Sequence, residues 1–139
     1  MNDLEMIRRV MAMMSFVKEA SELYPILAKG RMSLLVSSAF IDKRAKISDN
    51  PICQAVHKMT VDRTVQMGRE FMGAPFEEFK KRMAALQKIR NEFDEAISSL
   101  GESDKESALP MLEMMDKVLM LLEEEGLSIS ELALASIEQ

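Results

Sequence analysis

The sequence predicts an all-α protein of five to six helices, long, amphipathic and coiled-coil-like, and three observations carry that expectation. Met, Leu, Ala, Glu and Lys, all strong helix formers, dominate a chain of 139 residues with only five glycines and four prolines. β-branched residues nowhere alternate with polar ones over the length of a strand. A sustained heptad pattern occupies residues 76–100. At 47% hydrophobic the chain is not disordered by composition, and its length suits one compact domain or two small helical halves. The expected organisation is an N-terminal helical module, 1–50, followed by a helical oligomerisation region, 51–139.

The first helix should begin at Asn2 or Asp3, because Met6, Val10, Met13, Val17, Ala20, Tyr24 and Leu27 recur at alternating spacings of four and three. Pro25 should break or kink it, since proline removes an N–H and crowds the preceding turn. Gly30 is a further weak point. The next stretch, "RMSLLVSSAFIDKRAKI", is densely apolar at Met32, Leu34, Leu35, Val36, Ala39, Phe40 and Ile41, and reads as the most buried helix before it turns basic at Lys43, Arg44 and Lys46.

Asn50 is the expected N-cap of the following helix, with Pro51 at its first position and an end near Met72. Gly73 and Pro75 repeat the punctuation and launch "PFEEFKKRMAALQKIRNEFDEAISSL". There Phe76, Met83, Arg90 and Ile97 share one heptad position and Phe79, Leu86, Phe93 and Leu100 the other, which defines a coiled-coil seam, within one chain or between chains. Burying its seven apolar side chains at about 1.5–3 kcal/mol each gives a gross gain on the order of 10–20 kcal/mol before entropy. Arg90 interrupts the seam and reads as a residue that fixes register or partner number.

"GESDKESALP" should form a polar joint. Beyond it Leu109, Leu112, Met115, Leu119 and Leu122, flanked by Met111, Met114, Val118 and Leu121, make an apolar stripe too broad for one neighbour. Gly126 stands where a helix end needs a residue tolerant of positive φ, with Leu127 folding back on the last turn. Ser128 and Glu131 then have capping-box spacing for a short terminal helix. That helix is too short to stand alone and must pack on something else.

The net charge of −5 hides a division. Residues 1–90 carry 16 Lys and Arg against 10 Asp and Glu, a balance of +6, whereas residues 91–139 carry 2 against 13, a balance of −11. Such asymmetry suits an acidic partner for the front half, nucleic acid included, or a head-to-tail contact between copies. The alternative is two sets of solvated helix faces. Lys29, Arg31, Lys43, Arg44 and Lys46 lie near two expected helix junctions and are the candidate nucleic-acid contacts, although without interleaved aromatics for single-strand stacking.

Catalytic chemistry finds little footing. Cys53 and His57, four apart, share a helix face, but no second Cys or His completes a metal site, so a buried structural Cys and a partly exposed His are expected. Glu123, Glu124 and Glu125 diverge around the helix axis and lack the oxygen spacing of a calcium loop. The fourteen methionines resemble the adaptable surfaces of promiscuous helix binders, yet at helical spacing they read first as core. No P-loop, GxGxxG or nucleophile motif occurs, and neither an enzyme nor a cofactor is expected. A single cysteine allows no internal disulfide, and no signal peptide or apolar run of about 18 residues is seen, which makes a cytoplasmic location the expectation.

The order "DRTVQMGREFMGAPFEEFKKRMAALQKIRNEF", polar joint, "LEMMDKVLMLLEEEGLSISEL" resembles the oligomerisation region of the bacterial histone-like nucleoid-structuring proteins (H-NS) over roughly residues 60–135. The resemblance implies that Arg63, Arg69 and Glu70 lie in a short helix preceding the seam. It also implies that Phe79, Met83, Leu86 and Phe93 pair two chains, and that Leu119, Leu122, Gly126, Leu127, Ile129 and Leu132 form a second contact joining dimers into filaments. The family's C-terminal DNA-binding domain has no counterpart before Gln139, and residues 1–55 match nothing in it. Three functions compete. The favoured one is a homo-oligomerising interaction protein, a truncated modulator or antagonist of H-NS-like transcriptional silencing in bacteria. The second is a phage, plasmid or secretion-type adaptor, chaperone or inhibitor of another protein. The third is direct nucleic-acid binding by the basic front half. No membrane partner is expected.

Overall fold

The computed structural model describes residues 3–39 and 49–138, the side chains of 36–39 excepted. The protein is all-α, with no strand among the described residues. Its described helices are α1 (Asp3–Ala39), α2 (Pro51–Met72), α3 (Ala74–Ser98) and α4 (Glu102–Ile137). They number four rather than five to six, and only Gly73 separates α2 from α3.

Two helix starts follow directly from local chemistry. Asn50 has extended backbone (φ −70°, ψ 122°), and its side-chain oxygen accepts from the Ile52 N–H at 2.8 Å and the Cys53 N–H at 3.4 Å. Pro51 occupies the first turn, where its missing N–H costs nothing. At the next joint the Gly73 N–H donates to the carbonyls of Arg69 (3.1 Å) and Glu70 (3.2 Å), while its own carbonyl accepts from Glu77 (3.1 Å). One residue thus closes α2 and opens α3. The α3–α4 joint is three residues long, with the Leu100 N–H on the Ile97 carbonyl and the Lys105 N–H on that of Gly101. The polar stretch from Glu102 is therefore the beginning of α4 and not a loop.

The breaks expected at Pro25, Gly30 and Gly126 are absent. α1 runs unbroken through Pro25 and Gly30, and α4 through Pro110 and Gly126. The hydrogen bonds that the two prolines forgo would have ended on the carbonyls of Ser21 and Glu106, both exposed residues, where solvent is an adequate substitute. Gly126 has no positive φ and caps nothing. It lies buried inside α4 with the Phe79 ring against it, where a Cβ would overlap Cζ, Cε1 and Cε2 of that ring. The glycine is there for close approach, not for a turn. The stretch from Arg31, expected as a separate and most buried helix, is the end of α1 as far as Ala39, and within it Leu34 is buried while Met32 and Leu35 are exposed. Its residues 40–47 lie outside the described residues.

The chain forms two compact units, Met1–Pro25 with Lys80–Glu124, and Ile26–Phe79 with Glu125–Gln139, so the division crosses α1 at Pro25 instead of following residue 50. In the first unit Arg82 on α3 reaches Glu19 (2.8 Å) and Glu22 (2.6 Å) on α1, and Arg90 on α3 reaches Asp116 (2.8 Å) on α4. Those pairs give an up-down-up three-helix arrangement around Phe16, Leu23, Leu86, Phe93, Ile97, Leu112 and Met115.

The second unit packs on small residues. A Cβ at Gly30 would meet the Phe71 ring at 2.7 Å, and one at Gly68 would meet the Ala133 carbonyl, Ile137 and Ser136. Helices can approach that closely only where side chains are missing. The aromatic run Phe71, Phe76, Phe79 continues the core, with ring centroids 6.4 and 6.0 Å apart. Its buried hydroxyls donate to carbonyls of their own helices: Thr64 to Thr60, Ser130 to Leu127 and Ser136 to Leu132, each at 2.8 Å.

Candidate protein-interaction faces

The heptad seam is covered within the chain itself. Phe79, Leu86, Phe93 and Ile97 are buried by their own chain, and Phe76, Met83, Arg90 and Leu100 are half-buried. The spacing correctly marks an apolar face, but what covers it is its own chain. Arg90 bridges α3 and α4: its Nε donates to Asp116 at 2.8 Å, and its Nη1 donates to Asp94 on its own helix at 3.3 Å. The hydrogen bond to Asp116, outweighing partial burial, raises the Arg90 pKa above its ordinary value, so the guanidinium is charged throughout the usable pH range.

The segment expected to complete an interface with another chain is likewise part of its own unit. Ile129 and Ala133 are fully buried, Leu119 and Gly126 buried and Leu122 and Leu132 half-buried, leaving only Leu127 of that set exposed. Arg31 on α1 is ion-paired to Glu125 and donates to Ser128 Oγ at 2.9 Å, which ties the basic half of the sequence to the acidic half inside one unit. Arg90 and Asp116 do the same in the other. Part of the charge division thus serves intrachain ion pairs.

The remaining basic candidates are scattered. Lys29, Arg63 and Arg69 are exposed, and Arg63 donates to Gln66 at 3.1 Å. Lys43, Arg44 and Lys46 lie outside the described residues. Cys53, expected to be buried, is exposed on the first turn of α2, and His57 is half-buried with its Nδ1 lacking a hydrogen-bond partner among the described residues. No group of three His, Cys, Asp or Glu among the described residues is placed to hold a metal ion, and no described helix is long and apolar enough to cross a membrane.

The surface carries apolar side chains that the core reading of the methionines misses. Among the described residues eight methionines are exposed, Met6, Met11, Met14, Met32, Met59, Met111, Met114 and Met120, and Met115 alone is in the buried core. Two runs dominate. On α4, Met111, Met114 and Leu121 are exposed beside half-buried Val118, at the 3-4-3 spacing of one helix face, while Leu112, Met115 and Leu119 fill the core. The broad stripe does have two sides, one buried and one bare.

The second run is α1, where Leu4, Met6, Ile7, Val10, Met11, Met14 and Val17 are each 52–67% exposed while Phe16, Leu23 and Leu27 face the core. At 100° per residue those seven side chains span an arc of roughly 160°, and Glu5, Arg8 and Arg9, the charged residues between Leu4 and Val17, fall outside it. The periodicity through Met6, Val10, Met13 and Val17 identifies part of it and overlooks Leu4, Ile7, Met11 and Met14. The signal was the width of the apolar arc, which exceeds what one neighbouring helix covers. Comparison with protein-family models, with curated proteins and with solved structures finds no match.

Proposed function

We propose that the chain is a non-enzymatic helical interaction protein, which works by seating exposed apolar helix faces on other protein chains. The observation that supports this is the distribution of large apolar side chains: with the cores of both units filled, α1 and α4 still carry ordered, charge-poor faces rich in methionine. Flexible thioether side chains fit surfaces of varied shape, which is why such faces suit binding better than folding. Contiguous exposed apolar area of this kind marks interaction sites. The resemblance to nucleoid-structuring proteins points to a filament-forming nucleoid protein as one partner, but its terminal portion assumed a glycine turn that α4 replaces with continuous helix. The reading therefore rests on the exposed faces. The test is affinity capture from the native host with wild type and with Met114→Glu/Leu121→Glu, after circular dichroism has shown equal helicity. Partners retained by wild type and lost by the variant support the proposal. Identical sets of captured proteins refute the α4 face as a docking surface.

A further inference from the structure

We propose that the exposed arc of α1 is a homodimer interface in which the α1 helices of two copies lie antiparallel, centred between Val10 and Met11. The inference deepens the interaction reading by assigning α1 one partner, a second copy of this chain. Glu5, Arg8 and Arg9 lie on the other faces of the helix, so between Leu4 and Val17 the arc itself holds no charge and can be buried against itself without enclosing an unpaired ion. Asp3 and Lys18, both exposed, close its two ends on the same side of the helix. Their placement selects the orientation. Antiparallel pairing centred between residues 10 and 11 sets Ile7 opposite Met14, Leu4 opposite Val17, and Asp3 opposite Lys18 of the other copy. Two-fold symmetry makes that ion pair twice. A parallel arrangement would place Asp3 against Asp3 and Lys18 against Lys18. Glu19 and Glu22, the next acidic residues along α1, are already held by Arg82 of their own chain and leave Lys18 to the incoming Asp3.

The size is adequate. Seven large side chains, each more than half exposed, present roughly 700 Å², above the ~300–600 Å² of the largest apolar patch on a typical monomer and close to the ~800 Å² that each side of a standard interface buries. The arc extends for about 20 Å along the helix, three to four turns, enough for a short antiparallel seam.

Sedimentation equilibrium of the full chain tests the proposal. Wild type should be a dimer. Val10→Glu/Met14→Glu should be a folded monomer, because both positions are exposed in the single chain and their replacement leaves its core intact. Asp3→Lys and Lys18→Asp should each raise the dimer dissociation constant about tenfold, and the double exchange should restore it. Orientation is read separately with Ile7→Cys and Met14→Cys in a Cys53→Ser background. Mixing the two should give the mixed disulfide between residues 7 and 14, since a disulfide needs Cβ atoms within about 4.5 Å. A wild-type chain that stays monomeric, a dimer that survives Val10→Glu/Met14→Glu, or predominant 7–7 and 14–14 crosslinks would overturn the proposal. If the dimer instead dissolves on Met114→Glu/Leu121→Glu, the interaction reading stands and the α1 assignment fails.

Discussion

Consider Gly126→Ala. At an ordinary exposed helix position this change stabilises by about 1 kcal/mol, because alanine loses less backbone freedom and has the higher helix propensity. At Gly126 the added Cβ would occupy the space of the Phe79 ring tip, namely Cζ, Cε1 and Cε2, so the ring or the helix must shift. Overpacking of this kind costs about 1–3 kcal/mol, and the propensity gain offsets only part of it. A net loss on the order of 1–2 kcal/mol is expected. A loss alone would not separate close packing from a turn, since alanine is also disfavoured at a positive φ. Phe79→Leu separates them, for leucine has no atoms at the Cε and Cζ positions. In the Phe79→Leu background Gly126→Ala should become neutral or stabilising. Urea denaturation of the four proteins of this double-mutant cycle gives the coupling directly. Equal destabilisation by Gly126→Ala in both backgrounds would refute the close-approach account and return Gly126 to the role of a helix stop.

Leu86→Ala should cost about 2–5 kcal/mol and Phe93→Ala about 3–5 kcal/mol, as expected of fully buried core positions, and urea titration should show lost stability at constant cooperativity. Arg90→Ala should cost about 0.5–1 kcal/mol at low salt and less as salt rises, because its pairs with Asp116 and Asp94 are partly exposed and screened; a salt series of denaturation curves checks this. Cys53 should react with a thiol reagent as fast in the native protein as in urea, with helicity by circular dichroism unchanged.

The sequence was most legible where one residue's chemistry decides the outcome locally. Asn50 and Pro51 announce the start of α2, and Gly73 announces its end, because capping hydrogen bonds form within three or four residues of the cap. Pro25 and Gly126 were misleading for the complementary reason. Whether a proline breaks a helix depends on whether the carbonyl it deprives can reach water, and whether a glycine turns one depends on what packs against it; both facts are tertiary. The 76–100 heptads likewise mark a face without naming its cover, and Arg90 at an interrupting position finds Asp116 in the same chain, not in a neighbour. Of the candidate sites, the seam and the terminal segment became core. The apolar arc of α1 was only half visible, since reading one stripe through Met6 and Val10 hides a second through Leu4 and Met11 on the same helix.

The central claim is that the heptad seam is intrachain core while association belongs to the exposed face of α1. Urea unfolding of Val10→Glu/Met14→Glu at low and at high protein concentration tests it most directly, because folding coupled to association shifts with concentration and folding of a single chain does not. The account predicts one cooperative transition with the same midpoint at both concentrations. A midpoint that rises with protein concentration, and still rises after Met114→Glu/Leu121→Glu is added, would show that the seam from Phe76 to Leu100 joins separate chains, and would contradict it.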